Sequence, residues 1–269
     1  MLSHHIGICS WSLGSKTPQG LASDMRRCGI SAVQLALVPL VLDSHWDECS
    51  AILSKSGVSI LSGMFEPVGE DYSTLEAIAK TGGVRQDSTW QKTLELAIQT
   101  SQIASNLGLS LVTFHAGFLP HAACEERTKM LDRLAHIAEI FHSNGSSIAF
   151  ETGQENAAVL LGVLEELAIP YIGVNFDPAN MILYAQGDPV ESIKKLEPWV
   201  RQVHIKDAIA TKIEGRWGNE VIVGEGDVDW PSFLAAIPEG VDLIIEREAG
   251  DERIDDIQKA ISFLKDQGW

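Results

Sequence analysis

Short apolar runs rich in β-branched residues recur along the whole chain, each followed by a stretch long enough for a helix. That is the pattern of βα units feeding a parallel sheet. Eight runs predict strands: 5–11 (HIGICSW), 31–36 (SAVQLA), 58–64 (VSILSGM), 110–115 (SLVTFH), 147–151 (SIAFE), 172–177 (IGVNFD), 202–207 (QVHIKD) and 242–246 (DLIIE). Eight strands close a barrel, so the expected fold is of the α/β class, a single (β/α)8 TIM barrel domain over 1–269. In 125–141, Met130, Leu131, Leu134, Ile137, Ala138 and Phe141 recur at helical spacing and define a face that packs on the barrel wall. Ser88 with Gln91 reads as a capping box opening a second helix through about Leu107, stopped by Gly108. Further helices are expected over 156–168 and 251–265. Two connections are long, 65–87 and 208–230; both follow strands, so both belong on the carboxyl face as lids or substrate-contacting loops.

Composition narrows the partners. At 269 residues, 45% hydrophobic and 21% charged, the chain suits one globular domain. No run approaches the roughly 18 apolar residues of a membrane span. The opening MLSHHIGICSW lacks the basic and then apolar stretch of a secretory signal. Cys9, Cys28, Cys49 and Cys124 are scattered with no C-x-x-C pair, which argues for reduced thiols in a cytoplasmic protein. A formal net charge of −17 repels phosphate backbones, so the expected partner is a small molecule, with no nucleic acid and no membrane.

The polar residues at the strand ends carry most of the information. Trp11, Gln34, His115, Glu151, Asp177, His204 and Glu246 all fall there, at the end of the barrel where sites are built. Any one alone is better explained by helix capping or a local charge pair. Three carboxylates and an imidazole at four successive strand ends instead make a mixed oxygen and nitrogen site for one divalent metal ion, Mn, Mg, Co or Zn. Strand alternation puts Glu246 and Glu248 on one face with Arg247 on the other, and Lys206 on the face of His204. Lys206 then either reaches the site or stands exposed at a loop start. His115 is expected to contact substrate, the alternative being a satisfied buried histidine. Trp11 and Phe65 either wall the pocket or, as strand-end aromatics more often do, join the core. Trp217 in the second long connection closes the lid or joins a subunit contact. Lys206, Lys212 and Arg216 would meet a phosphate if the substrate had one, a solvated loop face being the commoner role for such a group.

The segments FHAG (114–117), IAFETG (148–153), GVNFDPAN (173–180), VHIKD (203–207), GEGDVDW (224–230) and LIIERE (243–248) occur in the order seen in the xylose isomerase-like barrels. In these the chain resembles that superfamily, which includes ketose 3-epimerases, hydroxypyruvate isomerases, inosose dehydratases and type IV AP endonucleases. The resemblance implies that Glu151, Asp177, His204 and Glu246 bind one metal and that Glu151 and Glu246 also move the proton. His115, Asn180, Lys206, Trp11 and Glu225 are then the expected substrate contacts. Such barrels often dimerise or tetramerise, which leaves a homo-oligomer open. Three residues after the strand-six aspartate, the epimerases and endonucleases usually carry histidine. Here Asn180 stands there, a hydrogen-bonding group but a poor metal ligand, so a trinuclear zinc site loses a ligand.

Abstracting hydrogen beside a carbonyl needs a nearby base and positive charge at the developing enediolate oxygen. Two glutamates on opposite faces of a sugar or keto-polyol give epimerisation; return of the proton to the next carbon gives isomerisation. Loss of a β-hydroxyl from the same enediolate makes the enzyme a dehydratase or lyase on a keto-sugar or inosose. Readings of other classes are a DNA-repair nuclease of the endonuclease kind and a catalytically silent sugar-binding barrel.

Overall fold

Strands covered on both faces need nearly continuous apolar sequence, and all eight runs meet that requirement in the computed structural model, which describes residues 4–213 and 215–269. The barrel strands are β1 (Ile6–Cys9), β2 (Ala32–Ala36), β3 (Ser59–Met64), β4 (Leu111–Phe114), β5 (Ser147–Glu151), β6 (Ile172–Phe176), β7 (Val200–Ile205) and β8 (Asp242–Ile245). Each pairs in parallel with the next, and β8 closes on β1 through Ile6 opposite Leu243 and Ile8 opposite Ile245. The wall helices are α1 (Pro18–Cys28), α2 (Cys49–Lys55), α3 (Asp87–Asn106), α4 (Glu125–Ser143), α5 (Ala157–Leu167), α6 (Pro189–Leu196), α7 (Trp230–Ala235) and α8 (Arg253–Asp266). Among the described residues no helix is long and apolar enough to cross a membrane.

Packing follows the predicted faces. Met130, Leu131, Leu134, Ile137, Ala138 and Phe141 of α4 are all buried. Phe65, which follows β3, lies wholly in this core, its ring 5.8 Å from those of Phe114 and Phe141. It therefore does not wall the pocket. The start of α3 also differs from expectation. Ser88 lies inside the first turn, and the N-cap Gln86 makes no side-chain cap bond. Asp87, bonded by Lys129 and Arg133 of α4, pins that end instead; a tertiary ion pair replaces the local capping box. The other end is as read, with Gly108 left-handed at φ 69° just past the cap.

The inside of the barrel below its carboxyl end is polar. Gln34 Nε2 donates to Thr113 Oγ1 at 2.8 Å, Ser62 Oγ to Gln202 Oε1 at 2.5 Å, and Gln202 Nε2 to Asn175 Oδ1 at 3.1 Å. Buried amides are tolerated when they are bonded to one another, and this layer forms the floor on which the polar strand ends stand.

Candidate metal centre and substrate cavity

Each expected ligand is delivered by a short local device. Glu151 is the last residue of β5, His204 points inward from β7, and Asp177 and Glu246 sit one residue beyond β6 and β8. Asp177 caps the short helix Pro178–Leu183, its Oδ1 accepting from Asn180 N at 2.9 Å, with Pro178 at the first helical position. That leaves Oδ2 turned toward the barrel axis. One potential ligand atom each from Glu151, Asp177, His204 and Glu246 lies within 4.8 Å of all the others, and all four residues are buried. His204 Nδ1 is 3.5 Å from Glu151 Oε1, 3.6 Å from Asp177 Oδ2 and 3.3 Å from Glu246 Oε2.

These residues fit a cation. His204 Nδ1 and Asp177 Oδ2 are buried with no hydrogen-bond partner, and such atoms are rare because leaving one unpaired costs about 1–3 kcal/mol. His204 Nε2 lies 2.8 Å from Gln34 Oε1, an acceptor held in place by the bond from Gln34 Nε2 to Thr113. A proton on Nε2 leaves the Nδ1 lone pair facing the three carboxylates, the tautomer a metal ligand needs. Asn175 Nδ2, 3.0 Å from the same ring nitrogen, bonds Glu151 Oε2 at 3.2 Å. Another grouping of possible ligands, Cys9 with His204 and Glu246, shares two members with the first; burial raises the Cys9 thiol far above its usual range, so it stays protonated.

Charge is unevenly shared in this buried cluster. Burial pushes the Glu246 carboxyl up, but Lys206 and then His204 outweigh it and hold the group well below the usual carboxylate range. For Asp177 burial wins over the attraction of Lys206, and the carboxyl is raised. Burial opposes charge on Lys206, yet Glu246, Glu248 and Asp177 keep it firmly protonated.

A cavity of about 540 Å³ opens above the cluster. Trp11, His115, Asn180 and Lys206 line it with Glu151 and Glu246. Trp11 lies in the turn Ser10–Leu13 beyond β1 and donates from Nε1 to Glu246 Oε1 at 2.6 Å. Lys206 Nζ reaches Glu246 Oε2 at 2.9 Å and Glu248 Oε2 at 2.7 Å. Asn180 Nδ2 donates to Glu151 Oε1 at 2.9 Å. It can approach that closely because Gly153, at φ 130°, has no Cβ; one built there would lie 2.4 Å from that of Asn180. His115 Nε2 is 3.8 Å from Glu151 Oε1, and its buried Nδ1 has no partner.

Glu225 lies elsewhere. It is exposed and absent from the cavity wall. The GEGDVDW segment instead wraps a buried carboxylate: Asp207 accepts from the backbone N–H of Gly224, Gly226 and Val228 and from Trp230 Nε1. The glycines belong to that wrap, where a Cβ at Gly226 would lie 2.1 Å from Asp207 Oδ1.

Both long connections border the cavity. The first contributes Glu66, Glu70 and Tyr72; the second contributes Trp217, Gly218 and Glu220. The second carries a small antiparallel ribbon, Asp207–Ile209 with Asn219–Val221. Glu220 ties it to the end of β8, accepting from Arg247 Nη1 at 2.8 Å and Glu248 N at 2.9 Å. Arg247 thus takes the face opposite to Glu246 and Glu248, as strand alternation requires. Glu220 and Glu70 were not singled out in the sequence. Neither ends a strand, and only loop folding brings them in. Lys212 and Arg216 are exposed and do not line the cavity.

Comparison with known proteins agrees with this architecture. A xylose isomerase domain protein from Planctomyces limnophilus has 26% identity and a TM-score of 0.85, with 98% of this chain and 95% of that chain covered. The probable 3-DHS dehydratase AsbF of Bacillus anthracis has 16% identity and a TM-score of 0.76, covering 98% and 99%. An L-ribulose 3-epimerase has 16% identity and a TM-score of 0.69, covering 98% and 94%. The uncharacterized protein YihM of Escherichia coli K12 is 29% identical over 103 residues, 38% of this chain and only 31% of YihM's length. The family model for the xylose isomerase-like TIM barrel matches residues 23–267, and with the closed eight-stranded barrel this establishes that the chain belongs to that family.

Proposed function

We propose that this chain is a divalent-metal-dependent isomerase or epimerase that moves a proton on a carbon beside the carbonyl of a sugar or keto-polyol. The observation that carries the reading is the buried convergence of Glu151, Asp177, His204 and Glu246 with two unpartnered ligand atoms aimed inward. A cation of the Mn, Mg, Co or Zn kind held there would supply positive charge to the oxygens of an enediolate. Glu151 enters the cavity from β5 and Glu246 from beyond β8, so a substrate is met by carboxylates from two directions. One removes the proton, and the other returns it to the opposite face of that carbon or to its neighbour. His115, Asn180, Lys206 and Trp11 supply hydrogen-bonding groups and an aromatic wall for the sugar hydroxyls and ring. The likeness to an L-ribulose 3-epimerase supports this reading. A second outcome of the same proton removal, loss of a β-hydroxyl, draws support from the likeness to the probable 3-DHS dehydratase. A nuclease role is the weaker reading, given the −17 charge and Asn180 in its place.

Elemental analysis of the purified protein, followed by incubation with ketoses, keto-sugars and inososes in deuterated water, tests this directly. About one divalent ion per chain with deuterium entering beside a carbonyl is the expected result, and the product separates epimerase, isomerase and dehydratase. A metal-loaded protein that exchanges no hydrogen with any of them counts against it.

A further inference from the structure

The cavity has two parts of different origin. Its floor is made by the strand ends that carry the candidate metal ligands. Its outer half is made by the two long connections, with Glu66, Glu70 and Tyr72 on one side and Trp217, Gly218 and Glu220 on the other. At about 540 Å³ it lies well within the roughly 300–1,000 Å³ of sites that enclose drug-sized ligands, more than a single sugar ring fills.

The outer half carries aromatic faces. Trp217 packs edge-on against Tyr184 at 4.9 Å between centroids, and Tyr184 in turn packs on Phe118 at 5.8 Å. Both Trp217 and Tyr184 line the cavity. The backbone beside Trp217 is held close, Gly218 N donating to Leu183 O at 3.1 Å. A Cβ at Gly218 would lie 2.6 Å from Ile209 O, so a larger residue would push this segment away.

The charges of the lining are one-sided. Glu66, Glu70, Glu151, Glu220, Glu246 and Glu248 border the cavity, and among the described residues Lys206 and His115 are its only basic groups. Lys206 is already bonded to two carboxylates. A phosphate or carboxylate entering the outer half would meet Glu66, Glu70 and the Glu220 already paired with Arg247, with no free cation beside them, and like charges brought together in a partly enclosed site repel strongly.

We propose that the outer half of the cavity is a subsite for a second, uncharged ring, so that the chain takes a neutral O-substituted sugar and rejects sugars bearing a distal phosphate or carboxylate. The inference rests on the proposed function only for the sugar end. The substituent lies against Trp217 and Tyr184, whose faces give a flat apolar contact, while the surrounding carboxylates accept hydrogen bonds from hydroxyls.

Calorimetric titration of the magnesium-loaded protein with methyl β-D-glucoside, phenyl β-D-glucoside and glucose 6-phosphate tests the subsite without turnover. The phenyl glucoside is expected to bind about tenfold or more tighter than the methyl glucoside, and glucose 6-phosphate about tenfold weaker. Trp217→Ala should reduce the phenyl preference to below about threefold, and Trp217→Phe should keep most of it. Equal affinity for the two glucosides, stronger binding of the phosphate, or binding of none of the three overturns the proposal. The deuterium experiment reads the proton-transfer function separately. Exchange without a phenyl preference sinks the subsite alone, and a phenyl preference without exchange sinks the proton transfer alone.

Discussion

Gln34 Oε1 on β2 lies 2.8 Å from His204 Nε2 on β7, an acceptor placed so that a proton on that nitrogen would leave Nδ1 facing the carboxylates. The contact spans 170 residues of sequence and is wholly buried. Replacing Gln34 with Leu removes the acceptor and frees the ring to take the other tautomer. Metal affinity, measured by competition with a chelator, should fall about 10–100-fold, the usual cost of losing such a support. Gln34→Glu keeps an acceptor there and should lose less. Unchanged affinity in Gln34→Leu would show that the tautomer is set elsewhere.

Glu246 accepts from both Trp11 and Lys206 and is one of the two carboxylates assigned to proton transfer. Glu246→Gln preserves shape and removes the charge. Folding, followed by circular dichroism, should persist, while metal content drops and turnover falls by roughly 100-fold or more. Wild-type turnover in this variant would remove Glu246 from its role.

Asn180 bonds Glu151 rather than standing free as a ligand. Asn180→Ala should therefore raise KM, by about tenfold, and leave metal content near that of the parent. Metal loss equal to that of Asp177→Ala would place Asn180 among the ligands.

Glu155, which is not among the candidate ligands, offers a pH test. Burial raises its carboxyl from 4.5 to about 8, only partly offset by the backbone N–H of Leu119. Between those two values the folded protein keeps a proton that the unfolded chain has released. Stability contributed by this site is therefore full below about 4.5 and declines as pH rises toward 8. Glu155→Gln cannot ionise, and its amide oxygen can still accept from Leu119. The variant should be more stable than the parent at pH 8 by an amount on the order of 4 kcal/mol, with little difference at pH 4.5. Denaturant unfolding at both pH values measures it, and an equal difference at both would contradict the account.

Asp207 holds the GEGDVDW wrap through four long-range donors. Asp207→Ala strands several buried N–H groups at once and should cost about 3 kcal/mol or more. Asp207→Asn, which retains an acceptor oxygen, should cost less. Thermal unfolding of both variants checks the order.

The barrel was legible in the sequence because a fully buried parallel strand needs a near-continuous apolar run, and eight such runs leave few other ways to bury them. The convergence of Glu151, Asp177, His204 and Glu246 was legible for a related reason: a polar residue ending an apolar run has to emerge at the carboxyl end, and in a closed barrel all such ends meet. Strand parity likewise paired Glu246 with Glu248 and Lys206 with His204, and of the two places it left open for Lys206 the fold takes the cavity. What the sequence could not carry is whatever depends on chain segments meeting across the fold. Phe65 joined the core because Phe114 and Phe141 close over it. The helix at Asp87 starts where α4 supplies cations, whatever its local capping signal. Glu225 points to solvent because its neighbours bend around Asp207. The contact of Gln34 with His204 and the acidic, aromatic outer half of the cavity were decided by tertiary structure alone, since loops carry no periodicity and a hydrogen bond across a barrel leaves no mark in local sequence.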